Sequence, residues 1–175
     1  MSRSAHIQAF LKSAGWDMAQ RGPLAGDAGN RKYERLNHPQ KGAAILMDAD
    51  PATGEDIRPF LNIAAHLKSC DLSAPEIYNA DCDLGLILLE DFGDQLLFDV
   101  ANTTPELEYP LYNMCLKALK QLHQTPPPLN VESYFPHEMA QAAEITLAWY
   151  CSPDLGATIA AELLKQLGNL DWTRP

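Results

Sequence analysis

Apolar residues recur along this chain with two different periods, and the change of period divides it. Ile7, Phe10, Leu11 and Ala14 keep helical spacing behind Ser4, which reads as the N-cap, and Gly15 closes the helix. Residues 21–30 are rich in small side chains and read as a loop. Residues 31–36 alternate and 43–48 are apolar; with the turn Asn37-His38-Pro39-Gln40-Lys41-Gly42 between them they predict a β-hairpin. After the loop 50–54, the positions Ile57, Phe60, Leu61, Ala64 and Leu67 predict a helix, with Pro59 tolerated in its first turn. A short strand over Glu76-Ile77-Tyr78 and a turn over 79–83 follow. The uninterrupted run Leu84-Gly85-Leu86-Ile87-Leu88-Leu89 predicts a strand buried on both faces. It stops at Glu90-Asp91-Phe92-Gly93-Asp94, and an apolar helix begins at once over 95–100.

Beyond Gly93 only helical periods remain. Thr104 reads as an N-cap before Pro105, and Leu107, Leu111, Met114, Cys115, Ala118, Leu119 and Leu122 keep one face expected in a core. Thr125-Pro126-Pro127-Pro128 is a rigid break. Stripes over 139–150 and 159–167 predict two more helices, with Gly168 as a cap and Trp172 left exposed near the end. The composition shift predicts two parts, 1–93 and 94–175. The fold class is α+β: a small antiparallel sheet with one long helix inserted among its strands, followed by helices.

Charge and cysteine content remove several functions. The 175 residues carry a net charge of -10, the wrong sign for binding a nucleic-acid backbone. No stretch approaches the roughly 20 apolar residues of a membrane span, and Met1 to His6 have no apolar run of the signal-peptide kind behind them. Cys70, Cys82, Cys115 and Cys151 form no C-x-x-C pair, so they read as reduced thiols filling the core of a cytoplasmic protein, without a zinc site.

The chemistry lies at two places. A buried strand ending at Glu90, Asp91 and Phe92 puts main-chain donors and acceptors at the mouth of a cleft, where they suit the flat edge of a heterocycle. The loop from Gly26 to Asn30 allows close approach of backbone N–H groups to anionic oxygens. Alternation puts Arg31, Tyr33 and Arg35 on one face of their strand and Lys32 and Glu34 on the other. Glu55 and Asp56 read as carboxylates favoured at a helix N-terminus; pairing with one of the basic residues is the alternative.

Three segments together carry a resemblance: residues 27–36 (Asp-Ala-Gly-Asn-Arg-Lys-Tyr-Glu-Arg-Leu), 44–49 (Ala-Ile-Leu-Met-Asp-Ala) and 86–94 (Leu-Ile-Leu-Leu-Glu-Asp-Phe-Gly-Asp). With Asp56-Ile57-Arg58-Pro59-Phe60, they resemble the N-terminal portion of the aminoglycoside phosphotransferase and choline kinase family, which has a protein-kinase-like fold. Within it they look closest to bacterial kinases acting on the anomeric hydroxyl of N-acetylmuramate and N-acetylglucosamine. Kinase-like proteins fused to a tRNA-threonylcarbamoylation ATPase look similar. The resemblance implies a small lobe and hinge over 1–93 and the first helices of a truncated large lobe over 94–175.

It also implies ATP as the nucleotide. Gly29, Asn30, Arg31 and Lys32 would lie at the phosphates, and Glu90, Asp91 and Phe92 at the adenine. Phe92 either walls that pocket or packs under the hinge. The strand lysine that holds the α and β phosphates in such folds is missing, with Met47 or Asp48 in its place, so Arg31 or Lys32 is expected to supply the charge. The family's His-x-Asp-x-x-x-x-Asn loop is absent: two residues after His6, His38, His66, His123 and His137 stand Gln8, Gln40, Lys68, Thr125 and Met139. No residue here is assigned to catalysis or to Mg²⁺. The chain is therefore expected to be inactive alone, with an amino sugar as substrate only if another segment completes it. A nucleotide- or partner-binding pseudokinase-like module is the alternative. The faces around Leu147 and Leu163 are expected to be apolar and uncovered.

Overall fold

A computed structural model describes residues 2–25 and 29–128 continuously, with isolated positions beyond. The chain forms two compact units, 1–128 and 129–175, and the break falls at the end of the Pro126-Pro127-Pro128 run. The expected helices over 139–150 and 159–167, Trp172, and the faces of Leu147 and Leu163 lie outside the described residues or touch them only at single positions.

The first unit is a five-stranded antiparallel sheet with the order β1-β2-β3-β5-β4. Its strands are β1 (Gln20–Pro23), β2 (Lys32–His38), β3 (Gly42–Asp48), β4 (Ile77–Asp81) and β5 (Leu86–Glu90). Helix α1 (Arg3–Ser13) precedes the sheet and α2 (Arg58–Ser69) separates β3 from β4. A short α3 (Leu97–Thr103), a 3₁₀ turn over Pro105–Leu107 and α4 (Glu108–His123) follow. No helix among the described residues is long and apolar enough to cross a membrane.

Strand alternation makes two cores. Leu36, Ala44, Leu46, Leu86 and Leu88 pack with Ile7, Phe10 and Leu11 of α1 and with Trp16. Ile45, Met47, Ala49, Ile87 and Leu89 face the other way, with Ile57 at the start of α2 and Phe60 and Leu61 packed beside it. Helices on both faces explain why β5 is apolar at every position up to Leu89. The row Arg31, Tyr33, Arg35 lies on the α2 face, because Leu36 points to α1 and strand positions alternate.

Several local expectations need correction. The N-cap of α1 is Ser2, whose hydroxyl accepts from the Ala5 N–H at 3.3 Å, not Ser4. Part of the predicted loop is strand: Gln20 to Pro23 pair with Glu34 to Asn37. Gly22 and Pro23 hid it, yet an edge strand tolerates both. The strand after Pro75 continues to Asp81, through most of the predicted turn. The helix after the hinge starts at Leu97, two residues later than predicted. Thr104 makes no side-chain cap, and a 3₁₀ turn precedes α4. Met114 is 64% exposed and Cys115 is exposed as well, so neither is core filler. Within the first unit, α4 meets the chain after α2 along an open apolar groove lined by Leu67, Leu72, Cys115, Ala118, Leu119 and Leu122.

Candidate nucleotide site

Two segments that leave the strands of the sheet make the candidate site. The first is the β1–β2 connection. Leu24 N–H still donates to Tyr33 C=O at 2.9 Å, so the hairpin is held up to that point. Residues 26–28 lie outside the described residues. Gly29 and Asn30 are exposed, and Asn30 reaches the Thr53 carbonyl at 3.4 Å. Arg31, where the loop meets β2, donates from Nε to Glu55 Oε2 at 2.8 Å. That bond raises the Arg31 pKa above its ordinary value, against some opposing burial. Glu55 is only 18% exposed, so its carboxylate fixes the guanidinium beside the loop.

Lys32 does not join this group. It points to the opposite face, in register with Asp48, and is exposed. Met47 and Asp48, one of which the resemblance sets at the lysine position, have different surroundings. Met47 is fully buried under α2. Asp48 Oδ1 accepts from Arg3 Nε at 2.9 Å, and Arg3 also donates to the Leu84 carbonyl at 2.6 Å. The reading of Glu55 and Asp56 as helix-end carboxylates holds for Asp56, which accepts the Arg58 N–H at 2.9 Å. Glu55 instead takes the pairing alternative.

The second segment is the chain leaving β5. The expectation of an open backbone edge is corrected here: β5 lies between β3 and β4, with both sides paired. Glu90 N–H donates to Glu76 C=O at 2.9 Å, and its side chain accepts from Glu76 N–H at 3.0 Å. Free main-chain N–H groups can therefore start only after Glu90. A run apolar on both faces belongs inside a sheet, which is why the strand cannot itself be the reading edge.

Asp91 is 7% exposed at its side chain and accepts from the Gly93 N–H at 2.9 Å, closing a tight turn around Phe92. Phe92 is 62% exposed and stands off the core. Arg35 on β2 holds this turn from outside the hinge. It donates to Asp91 (Nε to Oδ2, 2.6 Å) and to Asp94 (Nη1 to Oδ2, 2.8 Å; Nη2 to Oδ1, 2.7 Å). The sequence placed Arg35 on the same face as Arg31; the structure commits it to the segment after β5. Separations of 56 and 59 residues leave no local pattern that could have announced the contact.

Arg35 holds the Asp94 carboxyl below its ordinary 3.8, and the Arg58 N–H does the same for Asp56. A depressed carboxylate pKa stabilises the fold above the ordinary value, and the gain disappears as pH falls through the lowered one. The thermal midpoint of the chain should therefore exceed that of Asp94→Asn at neutral pH. The gap should start to close below about pH 5 and vanish in stronger acid; a gap constant down to about pH 2 would contradict this.

Comparison with known proteins shows the family. The profile of the phosphotransferase enzyme family matches residues 21–175. This chain belongs to that family. An N-acetylmuramate/N-acetylglucosamine kinase of Caulobacter vibrioides is 32% identical over 152 residues, covering 72% of this chain and 41% of that protein. Proteins of the same description from Pseudomonas putida and Pseudomonas aeruginosa are 30% and 28% identical, over 85% and 82% of this chain. The chain thus spans 41% to 44% of the length of these relatives. The order of strands and inserted helix is that of the N-terminal lobe of a kinase-like fold.

Proposed function

We propose that this chain is the nucleotide-holding portion of an ATP-dependent small-molecule kinase with an amino-sugar acceptor. Residues 1–93 form its small lobe and hinge, and 94–175 start its helical lobe in the cytoplasm. The observation that carries the reading is the Arg31–Glu55 pair at the foot of the β1–β2 loop. It supplies a fixed cation where a triphosphate would lie, in place of the lysine for which Met47 or Asp48 stands. Gly29 and Asn30 would approach the phosphates, and the main chain of Asp91 and Phe92 the adenine. Glu90 would contribute through its carbonyl, since its N–H is spent on Glu76.

These residues do not fit Mg²⁺. Glu55, Asp56, Asp91 and Asp94 are each engaged by an arginine, and a metal would have to displace it. The sequence also has no His-x-Asp motif to orient an acceptor hydroxyl. Phosphoryl transfer is positioning plus electrostatics, so without those groups little acceleration remains. The chain by itself is a binder without turnover. Calorimetry should show ATP binding with and without Mg²⁺, while N-acetylglucosamine and N-acetylmuramate produce no ADP above background. No ATP binding would remove the nucleotide reading; sugar-dependent ADP release would remove the claim of inactivity.

A further inference from the structure

The nucleotide reading leaves one conspicuous group unused. Arg35 sits in the middle of β2, opposite Ile45 of β3, and Ile45 in turn lies opposite Leu89 of β5. Asp91 is two residues past Leu89 and so shares its face. The guanidinium must therefore cross β3 to reach it. Two strand spacings are about 10 Å, a span that an arginine and an aspartate bridge together.

At the far end the fork is almost fully used. Nε and Nη2 donate to the two oxygens of Asp91, at 2.6 and 3.1 Å, and Nη1 and Nη2 to the two oxygens of Asp94, at 2.8 and 2.7 Å. Those two aspartates bracket Phe92 and Gly93. Gly93 has a φ of +77°, in the left-handed region that favours glycine. One planar cation thus fixes both ends of a two-residue turn, and Asp91 Oδ1 fixes its interior through the Gly93 N–H. The Asp94 carboxylate is otherwise 79% exposed, with no packing to hold it.

We propose that Arg35 is a positioning residue for base recognition, clamping the 91–94 turn so that its main chain meets a purine edge in one fixed orientation. This rests on the nucleotide reading above. A lysine keeps the charge but not the fork, so it can hold one carboxylate and not both. The guanidinium does not itself touch the nucleotide. Its loss should act on the base and spare the phosphates.

The test compares ATP with GTP, which share a triphosphate and differ at the base edge. The unaltered chain should prefer ATP. In Arg35→Lys, ATP affinity should drop on the order of tenfold, the loss expected when hydrogen bonds to the base go out of line. GTP affinity should stay within about twofold, so discrimination collapses. Asp94→Asn alters an exposed side chain, keeps the Asp91 pair, and should give an intermediate loss; it decides the matter should the lysine variant not fold. Equal losses for both nucleotides, or no loss in either variant, would overturn the proposal. So would a parent chain that binds both nucleotides equally, while the nucleotide reading survived. A parent chain that binds neither would sink both.

Discussion

Alanine at position 85 should cost the fold about 4 kcal/mol, the sum of a forced left-handed residue and a steric clash that nothing nearby can relieve. Gly85 has a φ of +64°, and a Cβ there would lie 2.0 Å from the Ala49 carbonyl oxygen and 3.0 Å from Pro51 Cδ. The obstacle is backbone, already fixed because Ala49 N–H donates to the Gly85 carbonyl at 2.9 Å. The turn is held from its other side too, by Asp81 Oδ1 accepting from Asp83 and Leu84 N–H at 3.1 and 2.9 Å. Moving it would pull the Leu84 carbonyl off Arg3 and shift the start of β5, which registers Leu86 against Asp48. Gly42 is the control: its φ is +82°, but nothing lies within 4 Å of its added Cβ. Gly42→Ala should cost only about 1–2 kcal/mol. In thermal melts the position-85 variant should lose on the order of 10 °C and the position-42 variant a third of that. Similar midpoints for the two would show that the close approach at Ala49 does not matter.

Arg31→Met should weaken ATP binding about thirtyfold, the usual size of a lost charge-assisted hydrogen bond to a phosphate. Methionine keeps much of the side-chain volume, so the loss reports the cation. The argument rests on the alternation of β2. Arg31 comes to the α2 face, where Glu55 holds it, while Lys32 faces α1 and solvent. Lys32→Met should therefore cost much less than Arg31→Met. Glu55→Gln should fall between them, because the amide still accepts a hydrogen bond but no longer supplies the charge that holds the guanidinium. Titration calorimetry on the three variants gives the ranking. If Lys32→Met is the more damaging change, the triphosphate approaches from the other face of the sheet.

How far the sequence could be read depends on the range of each interaction. The hairpin of β2 and β3, the helix with Pro59 in its first turn, and the doubly buried strand were legible because each follows from periodicity within ten or so residues. The edge strand β1 was not, since a four-residue strand containing Gly22 and Pro23 looks locally like a loop. Buried Met47 was legible as part of an apolar strand, whereas the exposure of Met114 was not. Helical spacing says which residues share a face, and says nothing of whether anything covers that face.

Taken alone, the sequence determined the order of the helices and of the strands other than β1, the faces of the paired strands β2 and β3, and the two segments that make the candidate site. Its motifs also determined the family. Only the tertiary structure decided which carboxylates three of the arginines take: Arg3 with Asp48, Arg31 with Glu55, Arg35 with Asp91 and Asp94. These partners stand 24 to 59 residues apart. Periodicity records the face a side chain points to, but an ion pair also needs the neighbour brought within reach. That is set by the order of strands in the sheet, which no local pattern encodes.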